Sequence, residues 1–278
     1  MRKLLCAAAI AALAFVSTGC NKLKSRDQLN QGVQSFKNAK YTDAVEHFKQ
    51  AIALDPSNPN GRLYLAVAYM VQYIPGAESP ENVKLGQAAR DEFMTVLRDN
   101  PKDKTAIAYL ASLNFQQASA SPDLDTKLKK LDEAREWYTK LTQVDPNAKE
   151  AWYSLGVIDW LKWYPKWQTA RAKLNMKPED PGPIKDPKVR QELKTQYGAL
   201  IDDGLANLQK ALNIDPQYDD AMAYMNLLIR ERADLSDTPQ GYKADVQTAD
   251  NWVQKALEAK RIKAAKAAQT AGQVTAEK

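Results

Sequence analysis

Four segments of the chain end in the same way, with an apolar helical pattern followed by Asp-Pro or Asn-Pro. The prolines are Pro56, Pro101, Pro146 and Pro216, and the first three follow one another at intervals of 45 residues. Because proline cannot continue a helix, each one is expected to end a helix and to set the turn into the next. A fixed interval of this size indicates an array of stacked helical units.

The residues before each proline also repeat. Small residues stand twelve positions before the proline, large ones eight before it and other apolar ones five before it. Offsets of four and three residues place these side chains on one face of a helix, where the small residue lets a neighbouring helix approach and the large one fills the space beside it. The three sets are Ala44, Ala89, Ala134 and Gly204; Phe48, Phe93, Tyr138 and Leu208; and Ala51, Val96, Leu141 and Ala211.

A second helical pattern follows each proline, and its clearest form runs from Trp152 to Gly156 as Trp-Tyr-Ser-Leu-Gly. With the Ala-x3-Phe-x2-Ala pattern from Ala44 to Ala51, it resembles the tetratricopeptide repeat, in which a helix A pairs with a helix B. The resemblance implies an all-α, right-handed α-solenoid of about five helical hairpins that binds proteins and is not an enzyme. The expected solenoid covers residues 26–258, with repeats at about 25–58, 59–103, 104–148, 149–218 and 219–260.

Several repeats are longer than the 34 residues of the family repeat. The extra residues fall between helices A and B, at 73–84, 116–126 and 231–241. Two interpretations are open: the insertions build a second surface on one edge of the solenoid, or they lengthen the helices and leave a tolerated loop.

The fourth repeat contains the longest insert, residues 161–195, which begins with a cluster of aromatic and basic residues. Such a cluster is typical of an interaction surface, including one for peptidoglycan or another glycan. Large aromatic side chains are more often packed, so the alternative is that they fasten the insert to the solenoid. The residues concerned are Trp163, Tyr164, Lys166, Trp167 and Arg171.

In tetratricopeptide proteins helix A lines an inner groove, and the resemblance assigns mostly apolar residues to it here. The Lys and Asn with which chaperone-binding members hold a carboxylate are missing from these positions. The groove could receive an amphipathic or extended peptide, or the protein's own insert or tail could fill it. The groove positions are Leu29, Val33, Phe36, Leu63, Val67, Met70, Ala108, Ser112, Phe115, Tyr153, Val157, Trp160, Ala223, Leu227 and Arg230.

The N-terminal residues have the pattern of a signal peptide over 1–19, with a positive start, a short apolar run and a small-residue exit. Gly19-Cys20 resembles the lipobox of bacterial lipoproteins, which implies cleavage before Cys20, lipidation of its thiol and a lipidated tether over 20–25. Ser17 stands where that family usually has an aliphatic residue, so cleavage without lipidation is the alternative. The expected location is the cell envelope, at the outer membrane and facing the periplasm, with the lipid anchor as the only membrane attachment.

The net charge of +5 comes from the two ends of the chain. Arg2 and Lys3 contribute two positive charges and residues 259–278 contribute a net four, which leaves residues 20–258 near −1. Such a body offers no broad basic face, and no nucleic-acid partner is expected. Residues 259–278 are expected to form a basic C-terminal helix or tail, either solvated or in weak contact with anionic lipid.

Residues able to carry catalysis are scarce. The only histidine, His47, stands beside the packing residue Phe48, and the sequence contains no metal-binding, nucleophile or phosphate-loop motif. No catalytic residue, metal or cofactor is therefore predicted, and a protein or peptide is the expected partner.

Overall fold

The computed structural model describes the backbone of residues 2–177 and 179–276, and the side chains of residues 20–177 and 179–269. Within that part of the chain there are ten helices and no strand, so the predicted all-α fold is confirmed. The helices form two compact units, Met1–Trp137 (unit 1) and Tyr138–Lys278 (unit 2).

Unit 1 contains two helical hairpins followed by further helices. Helices α1 and α2 pack against each other, as do α3 and α4. Several of the helices begin with a side-chain cap, because Asn58, Ser79 and Asp103 each accept a hydrogen bond from a backbone N–H of the first turn. The helices are α1 (Arg2–Lys37), α2 (Tyr41–Leu54), α3 (Pro59–Gln72), α4 (Pro80–Asp99), α5 (Lys104–Ala120) and α6 (Leu124–Val144), which crosses the boundary between the units.

Unit 2 continues the alternation of helix A and helix B. Helix α8 packs between its chain neighbours α7 and α9, and α9 packs against α10. The Asp186 carboxylate caps α8 by accepting hydrogen bonds from the backbone N–H groups of Lys188 and Val189. The helices after α6 are α7 (Lys149–Lys173), α8 (Pro187–Ile214), α9 (Asp219–Ala233) and α10 (Pro239–Ala276).

The small and large residues that repeat before each proline form the core. Ala44, Ala89 and Ala134 are completely buried, as is Leu208. Glycine allows the closest helix approach: a Cβ added to Gly156 on α7 would lie 2.5 Å from the Leu208 side chain on α8. The pattern read from the sequence is therefore the packing pattern of the hairpins.

Most of the extra residues lengthen helices. Only residues 121–123 separate α5 from α6, and residues 73–79 separate α3 from α4. The α3–α4 loop is held by the buried Asn82, whose side chain hydrogen-bonds the N–H and C=O of Ile74 and the C=O of Ala77. The insertions therefore agree better with longer helices joined by short loops than with a second surface on one edge of the solenoid.

The predicted N-terminal tether and the predicted basic C-terminal tail both belong to long helices. Residues 20–25, predicted as a tether, continue α1, and the Ser25 hydroxyl donates to the Ala51 carbonyl at 2.8 Å. The side chains of the predicted signal peptide, residues 1–19, lie outside the described residues. The predicted basic tail continues α10, with residues 263–269 exposed. In the described part of the chain, no helix has the length and apolar character needed to cross a membrane.

Candidate functional site

Four of the predicted groove residues line one apolar cavity of about 400 Å³ in unit 1. Val33 and Phe36 come from α1, and Leu63 and Val67 come from α3. These helices run side by side as the A helices of successive hairpins, so residues at helical spacing on each of them reach the same groove. Phe48 on α2 also lines it, with 1% of its surface exposed.

Two tyrosines that line this groove were not predicted from the sequence. Tyr64 and Tyr109 both line it, and each contacts a core phenylalanine. The Tyr64 ring is tilted against Phe48 with 5.8 Å between ring centroids, and the Tyr109 ring stacks on Phe93 with 5.2 Å between centroids. Each of them directly follows a predicted groove position, Leu63 or Ala108. A helix turns about 100° per residue, so a wide groove-facing stripe includes such neighbours.

Other predicted groove positions of unit 1 do not line the cavity. Leu29 packs against the core beside Val45 and Phe48. Met70 and Phe115 lie towards the C-terminal ends of α3 and α5 and are half-buried.

A lysine is the charged residue in the described lining of this cavity. Lys37 is exposed at the cavity and forms no ion pair within the described residues. After residue 25, helices α1, α3 and α5 contain one acidic residue, Asp27, against four basic ones. Arg62 pairs with Glu92 on α4 at 3.0 Å. The basic residues are Arg26, Lys37, Arg62 and Lys104.

In unit 2 the predicted groove positions belong to a run of touching aromatic rings. Tyr153 lies 5.0 Å from Tyr218 and 5.7 Å from Tyr224, and Trp160 lies 5.3 Å from Tyr224 and 4.8 Å from Tyr164. All five are half-buried. Burial raises the pKa of the Tyr218 phenol to about 12 and raises the pKa of Tyr153 still further, so both hydroxyls stay protonated.

The remaining predicted groove positions of unit 2 differ from one another in exposure. Val157 is buried, with 4% of its surface exposed. Leu227 is half-buried. Arg230 is exposed and pairs with Asp250 on α10 at 2.5 Å.

The insert cluster is mostly core. Trp163, Trp167 and Arg171 expose 0%, 7% and 2% of their surfaces, so they cannot form the predicted insert surface. Only Tyr164 and Lys166 of that set are partly exposed. The aromatic cluster therefore packs the insert against the rest of unit 2. Because Trp163 and Trp167 are buried, they give no support to glycan binding at the insert.

A buried ion pair holds the insert to α9. The Arg171 guanidinium donates to the Asp234 carboxylate at 2.5 Å and to the carbonyls of Lys177 and Asp180 at 2.6 Å. The Trp167 indole also donates to Asp234, at 2.8 Å. Burial raises the pKa of Asp234, and the Arg171 charge opposes that rise. Since the partners are more than 60 residues apart, no local sequence signal predicts the pair.

A second buried acid, Glu231, lies one helical turn before Asp234. Its carboxylate accepts a hydrogen bond from the Trp160 indole at 2.9 Å, while its other oxygen has no hydrogen-bond partner among the described residues. Burial raises the pKa of Glu231 to about 8, although the indoles of Trp160 and Trp163 favour the ionised form. At neutral pH this side chain is therefore mainly a neutral acid.

The residues considered for anchoring and catalysis are separate from the groove. Cys20 is an exposed free thiol on α1. His47 is half-buried, and its Nδ1 lies 2.8 Å from the side-chain oxygen of Gln28 on α1. Among the described residues, no three His, Cys, Asp or Glu side chains are grouped so that they could hold a metal.

Comparison with known proteins identifies the repeat type. A family model described as "TPR repeat" matches residues 32–72. No curated protein matches the sequence of the chain. The solved structure of MamA from Desulfovibrio magneticus RS-1, residues 41 to the end, is similar with a TM-score of 0.52 at 15% identity, over 86% of this chain and 96% of that one. A double mutant of the RS-1 MamA gives a TM-score of 0.53 with the same identity and coverage. At this identity the likeness concerns the fold, and the chain has the fold of the tetratricopeptide-repeat proteins.

Proposed function

We propose that the protein is a non-catalytic interaction scaffold of the bacterial cell envelope that binds a protein segment in the apolar groove of unit 1. The observation that carries the proposal is the groove itself, in which Val33, Phe36, Leu63 and Val67 remain around an open cavity of about 400 Å³. Apolar side chains left around a concave surface are a common basis of peptide recognition. Tetratricopeptide proteins are in general non-catalytic scaffolds, which agrees with this function.

The charges around the groove define the partner further. Because the Lys37 ammonium group lies at the rim, an acidic residue next to the partner's apolar side chain would be attracted. The expected ligand is therefore a helical or extended segment that combines apolar anchors with Asp or Glu. A basic segment is expected to bind less well because Lys37 would repel it.

The envelope location rests on the N-terminal sequence. The signal-peptide pattern over residues 1–19 and the Gly19-Cys20 pair support export and lipidation, and the exposure of Cys20 is compatible with modification of its thiol. A lipid-anchored scaffold facing the periplasm would then assemble a complex at the outer membrane.

Site-specific photo-crosslinking in cells tests the groove. A photoreactive residue at Tyr64, which is 36% exposed at the groove, should trap one partner in a fixed ratio, whereas the same residue at the exposed Gln50 on α2 should not. Val67→Glu in the Tyr64 background should abolish the product by placing a charge in the apolar cavity. Equal crosslinking from both positions, or a product unaffected by Val67→Glu, would contradict the groove as the binding site.

Fractionation of cells tests the anchor separately. Cys20→Ser should move the protein from the membrane fraction to the soluble periplasmic fraction, because the acyl chains supply the membrane attachment. Retention of Cys20→Ser in membranes would disprove the lipoprotein assignment and would leave the groove result unaffected.

A further inference from the structure

Trp252 on α10 lines an open pocket of about 520 Å³ in unit 2. The pocket is lined by the C-terminal part of α8, the start of α9 and the middle of α10. Its apolar lining includes Leu212, Met222 and Ile262. Its volume is within the range of about 300–1,000 Å³ that is usual for small-molecule sites.

Trp252 differs from the other tryptophans of unit 2 in how its indole is used. The indoles of Trp152, Trp160 and Trp167 donate hydrogen bonds to Pro146, Glu231 and Asp234. The Trp163 indole N–H also has no hydrogen-bond partner among the described residues, but this side chain is fully buried in the core. Trp252 is half-buried, and its indole N–H has no protein acceptor in the part of the chain that the structure describes. Its ring therefore combines an accessible donor with an apolar surface at the edge of a pocket.

Polar side chains surround this apolar surface. The Gln209 amide nitrogen donates to Asn213, which leaves its oxygen as an acceptor, and the Gln217 oxygen accepts from Lys266, which leaves its amide nitrogen as a donor. Glu258 provides a carboxylate that lies 3.8 Å from Arg261. The Lys255 ammonium lies 4.2 Å from the centre of the Trp252 ring, in a cation–π contact on a flexible side chain. The lining thus offers an aromatic ring and aliphatic side chains together with hydrogen-bonding groups of both kinds.

We propose that this pocket binds a glycan with acetamido groups. A sugar ring presents C–H groups on its faces and hydroxyls on its edges, which fits stacking on Trp252 with hydrogen bonds to Gln209 and Gln217. The methyl of an acetamido group fits the aliphatic lining formed by Leu212, Met222 and Ile262. Lys255 moves off the ring when the sugar stacks there. This site goes beyond the proposed scaffold function, whose groove lies in unit 1.

Saturation-transfer NMR with the detergent-purified full chain tests the site. Tri-N-acetylchitotriose should receive saturation at its acetamido methyl groups, and maltotriose, which has no acetamido group, should receive much less. Trp252→Ala should abolish the transfer. Trp152→Ala should retain it, since Trp152 has a similar lysine contact, with Lys210 at 4.1 Å, but does not line the pocket.

A second variant provides a control in case Trp252→Ala fails to fold. Gln209→Ala/Gln217→Ala changes exposed or half-exposed side chains, so helix content should be unchanged while affinity for the trisaccharide falls by roughly five-fold or more. The proposal is overturned if the wild-type chain gives no transfer, if maltotriose binds equally, or if the double glutamine variant binds like wild type. Transfer to the capped dipeptide acetyl-Leu-Leu-amide without transfer to the sugar would also overturn it and would assign the pocket to a peptide.

Discussion

The Phe48 ring lies so close to Gly32 that a Cβ on residue 32 would be 2.5 Å from the ring. This contact joins helix A and helix B of the first hairpin in unit 1, and Phe48 is almost fully buried there. Gly32→Ala must therefore displace a packed ring or separate the helices. We expect unit 1 to lose about 1–3 kcal/mol of unfolding free energy, measured by chemical denaturation followed by circular dichroism.

Gly198 on α8 is the matched control for this substitution. A Cβ on Gly198 would meet no atom within 4 Å. Gly198→Ala should leave stability unchanged or raise it by about 0.5–1 kcal/mol, because alanine favours the helix. If both substitutions had the same effect, close packing at Gly32 would not be the cause.

Replacing the buried Arg171 by an uncharged residue should strongly reduce the free energy of unfolding of unit 2. Arg171→Met leaves the buried Asp234 carboxylate without its ion-pair partner and also frees the carbonyls of Lys177 and Asp180. We expect unit 2 to lose about 3–5 kcal/mol. Tryptophan fluorescence can measure this change, since five of the six tryptophans lie in unit 2.

Arg230 provides the comparison for this variant, because it also pairs with an aspartate but at the surface. The Arg230 and Asp250 side chains are 43% and 55% exposed. Arg230→Met should cost at most about 1 kcal/mol. A similar loss in both variants would show that burial does not determine the contribution of Arg171.

The sequence predicts the helices and core well because their signals are local. The residues at fixed offsets before Pro56, Pro101 and Pro146 are spaced as one helical face, and that face is buried. Groove positions are predicted less well. Val67 borders a cavity, whereas Val157 at the equivalent position is buried within unit 2, because equivalent positions of different repeats have different neighbours.

The role of the insert could not be predicted from local patterns. Trp167 and Arg171 bind Asp234, which is more than 60 residues away in the sequence. Trp163 is buried in the hydrophobic core of unit 2. An exposed interaction surface and a cluster packed against the solenoid can have the same local sequence, and only tertiary contacts distinguish them. Trp252 shows the reverse case, because its sequence surroundings are ordinary and its pocket is formed by residues of three helices.

The stability of unit 2 should fall as the pH rises from about 4.5 to about 8. Glu231 has its ordinary pKa of 4.5 when unfolded, and burial raises the pKa to about 8 in the fold. Over this interval the folded chain holds a proton that the unfolded chain releases, so raising the pH favours unfolding by up to about 1.4 kcal/mol per pH unit. Denaturation at pH 5, 6, 7 and 8, followed by tryptophan fluorescence, measures this slope.

Glu231→Gln tests whether Glu231, and not another acid of unit 2, causes the pH dependence of stability. The amide keeps an oxygen for the Trp160 indole and cannot ionise, so the variant should have a flatter pH dependence between pH 5 and pH 8. Glu192→Gln, at an exposed position on α8, should keep the wild-type slope. Wild-type behaviour of Glu231→Gln would mean that Glu231 does not retain its proton in the folded state.

The Asn82 side chain should control the order of the α3–α4 loop. It makes three hydrogen bonds to loop backbone groups of Ile74 and Ala77, and it is itself 6% exposed. Asn82→Ala leaves these groups without their partners, so the loop should open more often and protease cleavage within residues 73–79 should become faster. Timed digestion followed by mass spectrometry locates the cleavage. Gln87→Ala on the same helix removes only an exposed contact to Asp91 and should be cleaved at the wild-type rate, since the loop keeps its Asn82 bonds.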